Sequence, residues 1–230
     1  MLGPVLYLAL AGAVVYGFYI VITWSEFGAD RGTRDLDPVL DQFLPEWDVA
    51  ERHATQVHAP FELTYLAFRA VDFEDSPIIR LIFRLRQLFM RGAAREYKGP
   101  RTMRDRAVAM GWGVIMEIPG HTLVLGAVTQ PWVAIPVFRA LPPEEFAAFN
   151  QPGYAKIIWS IGADSAGWNR SLGYTETRVK LTDPTSRQRF RRYWAMVSPG
   201  IFLIRRVLLR RVRRQAEQWG LANPPIGIPC

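Results

Sequence analysis

The first 25 positions are almost wholly apolar and carry no charged side chain. From about Pro4 to Trp24 the run is about 21 residues, or about 31 Å as a helix, which matches a hydrocarbon core of about 30 Å. A signal peptide would open on basic residues and have a shorter apolar run; neither is present. The pattern predicts an uncleaved transmembrane helix over residues 1–25, with Tyr7 and Trp24 near its interfaces. Arg31 and Arg34 follow it and no Lys or Arg precedes it, which predicts a single-pass membrane protein with its C-terminal domain in the cytoplasm.

Beyond the anchor the periodicity changes several times. Residues 26–44 are polar, acidic and punctuated by Gly28, Gly32 and Pro38, the pattern of a linker. Glu51–Ala59 alternates as a strand does, and Pro60 then opens a helix over Phe61–Ala70. Ser76-Pro77 is a helix start, and Ile78, Ile82, Leu85 and Phe89 make one apolar face to about Met90. Val114–Ile118 and Thr122–Val128 flank the turn Pro119-Gly120; Val133–Arg139, Ala155–Ile161 and Leu172–Thr182 are further strands, with a turn over Gly162–Asn169. Asp183-Pro184 begins a last helix, in which Phe190, Trp194, Val197, Ile201, Ile204, Leu208, Val212 and Trp219 form one apolar stripe. Ser198-Pro199-Gly200 should kink or break it.

A run of antiparallel strands buries one face, and the long helix offers a stripe to match it. The expected fold class is therefore α+β, a curved sheet wrapped around the helix from about Pro184 to Trp219. The space between them is either filled or a pocket. The domains expected are an anchor over 1–25, a linker over 26–44, a folded domain over 45–219 and a tail over 220–230.

Composition narrows the function classes. The only cysteine is Cys230, which excludes a disulfide framework or a cysteine-based zinc site. The net charge is +7, unevenly spread: residues 25–79 hold 4 Lys/Arg against 12 Asp/Glu, and residues 80–230 hold 24 against 9. Such a basic surface attracts phosphates. The anchor favours anionic lipid headgroups, and no nucleic-acid-binding signature is present. Ten arginines lie between Arg187 and Arg214 with no acidic residue among them. They are read as a solvated face, or as a membrane-surface contact made by Arg205, Arg206, Arg210, Arg211, Arg213 and Arg214.

Several short segments carry a resemblance. Leu44-Pro45-Glu46-Trp47-Asp48-Val49 with Glu51-Arg52-His53, Gln130-Pro131-Trp132, Lys156-Ile157-Ile158-Trp159-Ser160, Thr175-Glu176-Thr177-Arg178-Val179 and Arg189-Phe190-Arg191-Arg192-Tyr193-Trp194 occur in this order. Together with the element order they resemble the START and polyketide-cyclase superfamily (SRPBCC), in a bacterial branch of mostly uncharacterised members. The likeness covers roughly residues 44–219. It implies the helix-grip fold and a hydrophobic cavity between sheet and C-terminal helix. It carries no reaction, because members transport lipids, bind hormones or act as cyclases.

Motif chemistry is sparse. His53, His58 and His121 do not form a metal pair, and no H-E-x-x-H, nucleophile elbow or phosphate loop is present; no metal or cofactor is expected. Glu176, Arg178 and Lys180 share one strand face. They either orient a ligand carboxylate, with Glu117 and Lys156 joining them, or form an exposed ion-pair ladder. Candidate ligand contacts are Glu117, Lys156, Trp159, Glu176, Arg178, Tyr193, Val197 and Ile201. The function expected is a membrane-tethered binder or carrier of a hydrophobic molecule such as a lipid, isoprenoid or polyketide. A cyclase- or dehydratase-type enzyme acting on such a molecule is the alternative.

Overall fold

The computed structural model describes residues 2–27, 36–71, 81 and 102–222. The helix expected over Ser76–Met90 lies outside the described residues, save for Leu81. Helix α1 (Leu2–Ser25) is followed by a short 3-10 turn (Pro38–Gln42), strand β1 (Val49–Val57) and helix α2 (Phe61–Ala70). Then come α3 (Met103–Ala109), β2 (Gly113–Ile118), β3 (Thr122–Thr129), α4 (Pro143–Ala148), β4 (Ala155–Ser165), β5 (Ser171–Leu181) and α5 (Pro184–Ala222). The strands form one antiparallel sheet in the order β1-β5-β4-β3-β2. With α5 and α2 packed across one face, this arrangement fits the helix grip.

Local chemistry sets the elements. Asp183 caps α5 by accepting from the Thr185 and Ser186 amides at 2.8 and 3.0 Å, and from the Gly153 amide at 2.6 Å. These bonds favour its ionised form and hold its carboxyl well below the usual range. Contrary to the expectation of a break, α5 runs through Pro199 as one helix. One lost backbone bond is offset by packing on both sides, with Trp194, Ala195 and Ser198 buried before the proline and Leu208, Leu209 and Val212 after it.

Two further expectations are corrected. Val133–Arg139 forms turns with a single bridge, Val128↔Arg139, because Pro131 and Pro136 remove ladder donors. The turn placed over Gly162–Asn169 begins later, since β4 continues to Ser165; Gly167 (φ 115°) and Asn169 (φ 53°) then adopt the left-handed backbone that the reversal requires.

The segment expected to be a spacer is part of the packing from Asp37 onward. Leu40 and Leu44 are buried against Ile115, Val124, Val128, Phe146 and Ile158, on the sheet face away from α5. The opposite face packs on α2 and α5 in two clusters. One gathers Tyr65, Phe68, Leu123, Leu125, Ile161, Leu208 and Val212; the other gathers Ile157, Val179, Leu181, Phe190 and Trp194.

Helix α1 has 24 residues and lies antiparallel against α5 through its last turns. The Tyr16 hydroxyl donates to the Met196 carbonyl, Tyr19 Oη lies 3.1 Å from Ser198 Oγ, and Arg191 Nε donates to the Trp24 carbonyl at 2.8 Å. Among the described residues no helix is long and apolar enough to cross a membrane.

Candidate ligand groove between the sheet and the last helix

Alternation and register assign side chains to the two faces of the sheet. On the face toward α5, His53, Thr175, Ile161, Leu123 and Glu117 stand in one row across five strands. The next row holds Glu51, Thr177, Trp159, Leu125 and Val114. Thr177 and Trp159 are cross-strand partners at the centre of the sheet, where burial is expected, yet both keep partial solvent access. Ile201 shows the same departure on the helix side: Trp194, Arg205 and Leu208 on the same stripe are buried, but Ile201 is not. The partly exposed middle of the stripe thus faces a partly exposed middle of the sheet, with a buried cluster at each end.

Aromatic side chains and a few polar atoms surround this region. Trp112 stacks on Phe138 at 5.1 Å and meets Trp159 edge-on at 6.3 Å. Phe202 lies against His53 and Trp194, with centroids at 5.6 and 6.1 Å. Trp159 Nε1 donates to Thr175 Oγ1 at 2.7 Å, which fixes the indole. Arg205 is buried beneath: its Nη1 donates to the Glu51 carbonyl at 3.1 Å and reaches His53 Nδ1 at 3.4 Å. Because an arginine nitrogen only donates, Nδ1 is the acceptor and the neutral ring carries its proton on Nε2. Desolvation, then the charges of Arg205 and Arg206, push His53 down to about 4. Burial also lowers Arg205, to about 10, against the raising effect of Glu51 and Glu176. At neutral pH this region therefore holds an uncharged imidazole and one pinned guanidinium, with the Glu51 side chain in the adjacent row. These suit orientation of a polar end group better than proton transfer.

The candidate ligand contacts separate into three places. Trp159, Val197 and Ile201 are partly exposed residues of this sheet face and of α5. Glu117 shares the sheet face but sits at its edge, held by Tyr65 at 3.3 Å, Arg69 at 3.1 Å and Arg104 at 3.2 Å. Lys156, Glu176 and Arg178 lie on the opposite face. There Glu176 and Arg178 are fully buried, not an exposed ladder. Glu176 accepts from the Asp37 amide at 2.8 Å, Arg52 at 3.1 Å and Arg178 Nε at 2.8 Å. Arg178 pairs with Asp41, donates to the Asp37 carbonyl at 2.8 Å and lies 4.4 Å over Trp47. Lys156 Nζ donates to the Ala147 carbonyl at 2.7 Å, and burial, then Lys180, lowers its pKa. Tyr193 packs with Trp132 against the Phe190 and Trp194 cluster and lines a separate open depression.

Among the arginines assigned to a membrane surface, Arg206, Arg210, Arg213 and Arg214 are exposed and Arg211 is partly buried. Arg205 is a correction: it is 6% exposed and lies against β1, bonded to the Glu51 carbonyl. The signal was in the sequence, since Arg205 stands four residues after Ile201 and seven before Val212, on the apolar stripe itself. His53 and Thr177 carried no such signal. Among the described residues no group of three His, Cys, Asp or Glu side chains is placed to hold a metal ion.

No family model and no curated protein matches the chain. Among solved structures, the chain is similar to CalU16 from Micromonospora echinospora, with 13% identity over 75% of this chain and 86% of that chain and a TM-score of 0.25. A likeness at that score is no argument for a shared activity.

Proposed function

We propose that the protein binds or carries a mainly apolar molecule in the groove between its sheet and α5, tethered to a membrane by α1. One observation carries this reading: Trp159 and Thr177 at mid-sheet and Ile201 at mid-stripe keep solvent access between two buried clusters. Aromatic walls with few polar groups are the usual make-up of a small-molecule site. The neutral His53 and the Thr177 hydroxyl supply orientation for one polar end. The tether is supported by the uncharged length of α1 and by the exposure of Leu10, Val15, Phe18 and Val21 at 61–70%. An enzyme of cyclase or dehydratase type on such a ligand is the second reading, and would need His53 or Glu51 to reach the reacting atoms. The test is native mass spectrometry of the full chain released from membranes in detergent. An apolar adduct that survives exhaustive detergent exchange, and is lost in Ile201→Trp, is the expected result. A wild-type spectrum without adducts would remove the proposal.

A further inference from the structure

Beside the first half of α5, Arg189, Arg192, Tyr193 and Met196 face Trp132 across an open depression of about 220 Å³. The volume falls short of the about 300–1,000 Å³ that encloses a drug-sized ligand, but gives room for a headgroup. The neighbouring arginines are engaged: Arg187 pairs with Asp48, and Arg191 lies 4.5 Å over the Trp24 ring. Arg189 and Arg192 have no carboxylate partner among the described residues. They stand three residues apart on one helix face, where like charges repel. Trp132 Nε1 is buried with no acceptor among the described residues. A buried donor left unpaired is costly.

We infer that this depression is an anion site that takes the phosphate of a lipid headgroup. The planar guanidinium forks of Arg189 and Arg192 match phosphate oxygens. Position selects a lipid as the source. Met196 forms one rim and is 50% exposed, and its carbonyl accepts from Tyr16 of α1. An acyl chain leaving the phosphate therefore meets Met196 and then the apolar surface of α1. The lipid source rests on the proposed tether; the anion chemistry does not.

The test uses the full chain in a neutral detergent, titrated calorimetrically with dihexanoyl phosphatidylglycerol, dihexanoyl phosphatidylcholine and inorganic phosphate. Phosphatidylglycerol should bind at least tenfold tighter than phosphatidylcholine, whose choline the two arginines repel. Arg189→Gln/Arg192→Gln should lose tenfold or more and Arg192→Lys less, with melting temperature unchanged in each. Both arginines are exposed, so folding is not at stake. Inorganic phosphate binding as tightly as the lipid, and lost in the double variant, would keep the anion site but overturn the lipid source. Equal binding of phosphatidylglycerol to wild type and double variant would overturn the site. Retention of the apolar adduct in the double variant separates this result from the fate of the groove.

Discussion

Removing Arg178 is the sharpest test of how the chain after α1 is fastened to the sheet. Its guanidinium is fully buried and bonds Glu176, Asp41 and the carbonyls of Asp37 and Leu44, the last two at 2.8 and 3.3 Å. Arg178→Ala leaves Glu176 buried with only Arg52 to offset its charge, at 3.1 Å, and two carbonyls lose a donor. Breaking a buried pair from one side costs about 3–5 kcal/mol. For a domain of this size each kcal/mol lowers Tm by about 2–4 °C, so a fall of roughly 6–20 °C is expected. Because Leu40 and Leu44 ride on the same clasp, the segment from 37 to 44 should loosen first, seen as faster amide exchange at Leu40 and Leu44. Glu176→Leu/Arg178→Met, which removes both charges, should cost less than Arg178→Ala, since apolar replacement of a buried pair is often near neutral. Thermal unfolding of the detergent-solubilised chain followed by near-ultraviolet circular dichroism reads the effect. A fall under about 2 °C for Arg178→Ala would refute the buried clasp.

Three further outcomes follow from the packing. Trp194→Ala and Leu208→Ala, at 6% and 2% exposure, should each cost about 2–5 kcal/mol by chemical denaturation; near-zero values for both would mean that the stripe does not face the sheet. His53 is depressed to about 4, so the folded state binds fewer protons than the unfolded state between about pH 4 and 6.5. The stability this gives is present above 6.5 and lost as pH falls toward 4. An imidazole NMR titration should midpoint near 4, rising in Arg205→Met, and a midpoint near 6.5 in wild type would place His53 in solvent. Gly162→Ala would set a Cβ 2.4 Å from the Tyr174 hydroxyl, so it should destabilise by about 1–3 kcal/mol and shift the Tyr174 resonances; an unchanged Tm would deny that contact.

The grip itself was legible because it rests on two periodicities. Alternation placed β2, β4 and β5 within a few residues of their observed starts, and the spacing from Phe190 to Trp219 gave α5. Alternation does not say which face of a strand meets the helix. That is why spacing alone makes Glu176 and Arg178 ligand contacts or a surface ladder, when they lie buried on the far side, where Arg178 bonds the Leu44 carbonyl. The acidic, proline-punctuated composition of residues 26–44 reads as a spacer. Its burial depends on the Asp37 backbone and the Asp41 carboxylate meeting Glu176 and Arg178 more than 130 positions later, which no local pattern shows. Arg205 fits its stripe by spacing and was assigned outward by charge alone. The groove floor of His53 and Thr177 comes from β1 and β5 becoming neighbours, a pairing set by topology.

The most direct test of the groove is photo-cross-linking of a diazirine-bearing fatty acid to the full chain in its native membranes, followed by peptide mapping. Adducts on β4 and β5 around Trp159 and Thr177 and on α5 around Ile201, lost in Ile201→Trp while labelling of α1 persists, are the result the account predicts. Labelling confined to α1, with none on β4, β5 or α5, would contradict it.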